Sequence, residues 1–152
     1  MPVVSPFFFL KMETLTFDKN LKVFYVTASS FPDGVMAAHE QLNKIAPAGP
    51  GRKHFGLSRP EPDSRPPGTI VYRAAAEELN PGEAEKYNCG TLLLRKGKYA
   101  CFTVKDFRAN IQAIDKTFQT LLALPNLDPE GYCVEWYFND KDVKCMVRLE
   151  PG

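Results

Sequence analysis

The residue best placed to do chemistry is a carboxylate inside an apolar strand. Glu135 lies in the run Tyr132-Cys133-Val134-Glu135-Trp136-Tyr137-Phe138-Asn139, which closes on the turn Asp140-Lys141-Asp142 and continues into the apolar run 143–149. Aromatic and β-branched residues bounded by Asn and Asp predict a strand entering a hairpin. Side chains alternate along a strand, so Val134, Trp136 and Phe138 share one face while Cys133, Glu135 and Tyr137 share the other. Burying an ionised carboxylate is costly unless a cation, hydrogen-bond donors, water or a raised pKa offsets the lost hydration. The partner is either internal, with Arg73 and Arg148 on neighbouring strands as the choices, or it is a ligand.

A ligand at such a site would have a definable chemistry. A carboxylate in low dielectric attracts a cation more strongly than one in water, and each aromatic face adds roughly 0.5 to 2 kcal/mol by cation-π contact. Delocalised, weakly hydrated cations lose least on leaving water, so an ammonium or Mg²⁺ would bind poorly. Tyr137, Tyr99, Phe55, Tyr72 and Trp136 are the aromatic candidates around Glu135. Cross-strand packing is an equal alternative for Tyr99, Tyr72 and Phe55, and Trp136, which alternates onto the opposite face, reads more readily as core.

Other chemistries find little support. His39 falls at the edge of a helical stripe and is expected to be partly buried and hydrogen-bonded, while His54, beside Arg52 and Lys53, is expected at a solvated strand entry. Two distant histidines without a nearby acid pattern support neither a metal site nor a nucleophilic triad. Cys89, Cys101, Cys133 and Cys145 form no Cys-x-x-Cys pair, which argues against zinc and fits reduced thiols in a cytoplasmic protein. A Cys101–Cys133 disulfide stays open at this level. With no phosphate-cradling glycine loop or dinucleotide fingerprint, no cofactor is expected.

The elements that must hold these residues show an internal repeat. Val35, Ala38, Leu42, Ile45 and Ala46 form a helical stripe opening near Asp33 and ending before Pro47; Ile111, Ile114, Phe118, Leu121 and Leu122 form the same stripe 76 positions later, opening near Asp106 and ending before Pro125. The same offset carries the strand-like run 21–27 onto 97–103. After each helix comes a loop and a strand-like pair, 55–58 with 69–74 and 132–139 with 143–149, so each half reads β-α-β-β. The proline-rich stretch 59–68 cannot supply a ladder and is expected to be a loop, and 78–88 joins the halves. Two such units predict an α+β domain, one antiparallel sheet with two helices on one face and a ligand groove on the other. If Val134, Trp136 and Phe138 meet the helices, Glu135 and Tyr137 face that groove.

At 152 residues the chain suits a single domain, expected over 13–152 with halves of about 13–78 and 88–152. Residues 1–12, with the run Pro6-Phe7-Phe8-Phe9-Leu10, read as a tail too short to span a membrane, with Met12 as an alternative start. Nineteen basic against 18 acidic residues leave a net charge of +1 with no basic block, so neither nucleic acid nor an anionic membrane is an expected partner.

From about Leu21 to Pro151 the chain resembles the GyrI-like small-molecule-binding domain, the effector-binding module of some AraC-type and MerR-type regulators, which also occurs alone. The residues that carry the resemblance are His54-Phe55-Gly56-Leu57-Ser58, Leu94-Arg95-Lys96-Gly97-Lys98-Tyr99-Ala100-Cys101-Phe102 and Val134-Glu135-Trp136-Tyr137. It implies an acidic residue at Glu135 facing a pocket for bulky, often cationic aromatic compounds, with Tyr137, Tyr99 and Phe55 at aromatic positions of that pocket. This chain departs from the regulators in having no DNA-binding part, and its proline-rich loop is unlike a minimal domain. The implied function is a stand-alone, multidrug-like binding protein related to transcription-regulator effector domains.

Two alternatives belong to other classes. Some stand-alone members of that family resemble hydrolases of strained, cyclopropane-containing electrophiles; Glu135 would then be the general base, with Tyr137 or Tyr99 orienting the substrate or donating a proton. A gyrase-inhibitor-like protein-interaction role would use a surface instead, with the proline-rich loop 59–68 as its candidate.

Overall fold

The computed structural model describes residues 11–49 and 51–151. The apolar run of the tail, residues 6–10, lies outside the described residues. The elements follow as β1 (Glu13–Phe17), β2 (Leu21–Thr27), α1 (Val35–Ile45), β3 (His54–Pro60), β4 (Ile70–Glu77), α2 (Glu83–Lys86), β5 (Gly90–Leu94), β6 (Gly97–Val104), a 3-10 turn (Phe107–Ala109), α3 (Ile111–Leu121), β7 (Cys133–Trp136) and β8 (Val143–Arg148). The eight strands among the described residues form one antiparallel sheet in the order β1-β6-β8-β7-β3-β4-β2-β5.

That order shows the duplication. Exchanging the halves maps β1 to β5, β2 to β6, β3 to β7 and β4 to β8, and the strand order then reads the same from the other end. Each half is β-β-α-β-β, one strand richer than the β-α-β-β expected. The added strands are exchanged: β1 pairs with β6 of the second half and β5 with β2 of the first. Their pattern is plain once seen, since Leu15 and Phe17 in β1, and Leu92 and Leu94 in β5, turn alternate side chains inward. Both are only five residues long, which hid them beside the longer runs.

The sheet curls. Its two outermost strands, β1 and β5, send those four residues into one cluster with Val23, Phe55, Leu57, Tyr99, Val134 and Met146 on the helix-free face. The helices cover the other face in two patches. Ala38, Leu42 and Ala46 seat α1 on Phe24, Ala74 and Ala76 of β2 and β4, while Phe118 and Leu121 seat α3 on Ala100, Phe102, Cys145 and Val147 of β6 and β8. Complete burial of a Leu or Phe side chain contributes about 1.5 to 3 kcal/mol, so these stripes fix the helices to the sheet.

The α3 stripe differs from expectation at its ends. Ile111 and Leu122 are 60% and 54% exposed, and the buried side is Thr117, Phe118 and Leu121. Thr117 is tolerated there because its hydroxyl donates to the Ala113 carbonyl at 2.6 Å, a bond that period alone does not reveal. No helix among the described residues is long and apolar enough to cross a membrane.

Candidate functional site

Helices α1 and α3 sit over β2/β4 and β6/β8, so the central strands β3 and β7 face the gap between them. Alternation along β7 is as expected, but the faces are reversed relative to the helices. Val134 and Trp136 pack into the helix-free cluster, whereas Cys133 and Tyr137 pack with the α3 patch. Glu135 is therefore on the helix-bearing side. Phe138 lies beyond the end of β7, near Trp136 at a centroid separation of 5.9 Å, with the Lys144 ammonium 5.0 Å from its ring.

Glu135 is 8% exposed. The Tyr72 hydroxyl on β4 donates to its Oε1 at 2.9 Å, and the Tyr137 hydroxyl donates to the same oxygen. Oε2 receives no hydrogen bond from the described residues. Both internal ion pairs considered for Glu135 are absent: Arg73 is held by Glu61 at 3.0 Å and Arg148 by Asp128 at 3.0 Å. Burial pushes the Glu135 carboxyl above its ordinary range, and the two phenol donors oppose that by favouring the charged form. Burial, followed by the neighbouring Glu135 charge, pushes both tyrosines well above the usual phenol range, so they stay protonated donors.

A histidine extends the chain of donors. His39 Nε2 on α1 lies 2.7 Å from the Tyr72 oxygen. Since that phenol gives its proton to Glu135, His39 serves as the donor with its proton on Nε2. Burial, reinforced by His54, lowers the His39 pKa to about 4, so the ring is neutral near neutral pH. The hydrogen-bonded histidine expected at position 39 is confirmed. His54 is a correction: it is only 3% exposed, sits beside the Ala46 carbonyl, and its Nε2 has no hydrogen-bond partner among the described residues. The parity of β3 explains this, because Phe55 and Leu57 turn into the helix-free cluster and leave position 54 on the helix-bearing side.

Two phenylalanines and one glycine complete the site. Phe31 stacks on Tyr72, with centroids 5.8 Å apart and planes at 18°, and Phe107 meets Tyr137 edge-on at 5.3 Å and 63°. His39 contacts both tyrosine rings, at 5.7 and 5.2 Å. Gly56 pairs with Glu135 across β3 and β7, and a Cβ there would lie 2.0 Å from the Tyr72 hydroxyl. None of Phe31, Phe107 and Gly56 stands out for these roles by residue type or local pattern. The 76-residue offset did contain a signal, since it maps Phe31 onto Phe107.

Of the aromatic candidates, Tyr137 and Tyr72 converge on Glu135, and Tyr99, Phe55 and Trp136 do not. Those three occupy the helix-free cluster, where Phe55 and Trp136 are 6.3 Å apart and Tyr99 meets Phe17 at 5.1 Å. The Tyr99 hydroxyl donates to the Arg95 carbonyl at 2.7 Å, and burial pushes its pKa to about 12. Tyr99 borders a separate hollow of about 620 Å³ on that face, with Leu94, Tyr132, Val134 and Arg59. Another hollow, of about 570 Å³, runs from Thr27–Phe31 to Thr69–Tyr72 beside the carboxylate site.

All four cysteines are free, and Cys101 and Cys133 face opposite sides of the sheet. Burial raises the Cys133 thiol to about 11, so it is no ready nucleophile. Among the described residues no group of three or more His, Cys, Asp or Glu is arranged to hold a metal ion.

No protein-family model matches this chain, and no curated protein does. The fold is similar to solved structures. An integron cassette protein from the mobile metagenome of Vibrio cholerae superposes with a TM-score of 0.66 at 15% identity, over 91% of this chain and 95% of that one. SAV2435 bound to tetraphenylphosphonium gives 0.57 at 15% identity, over 91% and 93% of the two chains. A hydrolase from Listeria innocua gives 0.53 at 9% identity, over 92% of each. At these identities the likeness concerns the fold.

Proposed function

We propose that this protein binds a hydrophobic organic cation between α1 and α3, with Glu135 as the electrostatic anchor and Tyr72 and Tyr137 as the groups that hold its carboxylate. The observation that carries this reading is the state of Glu135: almost sealed from water, bonded only through Oε1 to neutral phenols, and paired with no cation among the described residues. A buried charge without a counter-ion favours one supplied from outside. The aromatic surround suits a delocalised cation, and SAV2435, similar in fold, was solved with tetraphenylphosphonium. The resemblance to stand-alone GyrI-like effector domains supports the same function, in a cytoplasmic protein that acts without contacting DNA itself.

The test is calorimetric titration with tetraphenylphosphonium and with neutral triphenylphosphine oxide. Saturable binding of the cation that is lost in Glu135→Gln supports the reading; equal loss for both ligands would remove the anchor role.

A second reading keeps the same residues but adds turnover. Oε2 is free to take a proton from water while Tyr72 and Tyr137 orient the carboxylate, and a raised carboxyl pKa suits a general base. The Listeria hydrolase is similar in fold. Mass spectrometry of the protein incubated with a cyclopropane-bearing electrophile separates the two: Glu135-dependent, multiple-turnover conversion identifies an enzyme, and unchanged compound a binding protein.

A further inference from the structure

We infer that a ligand reaches Glu135 from the Phe31 side alone, with Phe31 as the gate and the 570 Å³ hollow beside it as an outer subsite for an uncharged aromatic arm of a monocation. This rests on the binding function proposed above.

The two halves present the site with equivalent walls held in unequal ways. Residues 27–34 and 103–110 lead into α1 and α3, and each lays a phenylalanine against one tyrosine of the Glu135 pair. The second wall is tied to the β7–β8 turn. The Phe107 amide donates to the Lys141 carbonyl at 2.9 Å, the Asp106 amide donates to Asp142 Oδ1 at 3.0 Å, and the Arg108 guanidinium donates to the Asp140 carbonyl. Displacing Phe107 would break into that set.

The first wall has no such ties among the described residues. Its last backbone bond to the sheet is from the Ala28 amide to the Tyr72 carbonyl at 2.9 Å; the later ones, Gly34 to Ser30 and Val35 to Pro32, stay within the turn. The corresponding hairpin loop, 61–69, closes on itself through Gly68 to Glu61 and Ser64 to Glu61 and Thr69. Between this loop and the first wall the hollow remains. Phe31 is 45% exposed, so its ring can leave Tyr72 by side-chain rotation with no loss from the buried core.

The hollow also sets the ligand class. Its lining contains Thr27, Ser29, Ser30, Ser64 and Thr69 beside apolar groups and Tyr72, and no charged side chain. A second charge on the ligand would find no partner there, so a single delocalised charge at Glu135 with a flat neutral arm fits best.

Stopped-flow fluorescence with rhodamine 6G as the probe tests this on wild type, Phe31→Ala, Phe31→Trp and Phe107→Ala. A gate that limits entry predicts association and dissociation both about tenfold faster in Phe31→Ala and unchanged or slower in Phe31→Trp; Phe107→Ala, which removes a wall of the site itself, should speed dissociation through lost contact but leave association no faster than wild type. Kinetics indifferent to Phe31, or faster association from Phe107→Ala instead, would overturn the inference while binding stands. Wild type that binds neither rhodamine 6G nor tetraphenylphosphonium would overturn the binding function and this inference together.

Discussion

Gly56 and Glu135 face each other across the ladder that joins the two halves, and a Cβ on Gly56 would come within 2.7 Å of Glu135 Oε1. The glycine is required by space, since its φ is outside the left-handed region. One half supplies the carboxylate, and the other leaves room for it and for the Tyr72 hydroxyl. Gly56→Ala should therefore destabilise the fold by about 1 to 3 kcal/mol, as overpacking does, and displace Tyr72 from Oε1. Urea unfolding together with cation titration checks this; wild-type values in both would show that the glycine is incidental.

Glu135→Gln should weaken a cationic ligand by about 2 to 4 kcal/mol and leave a neutral analogue nearly unchanged, since it removes charge at constant shape. Urea stability at pH 8 should be kept or increased, because the mutant no longer holds an ionised carboxylate away from water. Titration and urea melts on the same preparation separate these effects.

Cation affinity should depend on pH with a definite sign. Burial raises the Glu135 pKa in the folded protein, and only the ionised form attracts a cation, so affinity should be flat at high pH and decline as pH falls through the raised pKa. In stability the sign is opposite: a raised acid contributes fully below its unfolded value, and that contribution is lost as pH rises through the folded one. Tyr72→Phe removes a donor to the carboxylate and should move the affinity profile toward higher pH. Tetraphenylphosphonium titrations from about pH 5 to 8 provide the measurement. Tighter binding at the acid end would contradict it.

Acid stability should depend on a pair that makes no bond to Glu135 or its tyrosines. Glu83 accepts from Arg52 at 2.8 Å and from the Leu79 and Asn80 amides at 2.7 and 2.9 Å, and these bonds, the Arg52 guanidinium first, hold its carboxyl at about 2. A depressed folded pKa means stability that is present above the unfolded value near 4.5 and lost as pH falls toward 2. Glu83→Gln should cost about 1 to 2 kcal/mol at pH 6 and much less at pH 2.5, read from urea midpoints. An equal cost at both pH values would assign Glu83 a packing role only.

What the sequence alone determined here is local or periodic. The 76-residue repeat, helices α1 and α3, six of the eight described strands and the conflict of a carboxylate in an apolar strand follow from residue type and spacing within short windows. Alternation also establishes that Glu135 and Tyr137 share a face opposite Val134 and Trp136. It leaves open which of those faces meets the helices, because reversing a strand preserves its pattern and exchanges its environments. That was decided by long-range packing: the curl closes the helix-free face around Phe55, Tyr99 and Trp136, and the carboxylate lies between the helices. The meeting of Tyr72, His39, Phe31 and Phe107 at Glu135, the exchange of β1 and β5, and the burial of His54 belong to the same level. Each joins segments far apart in the chain, and only the folded sheet brings them within bonding distance.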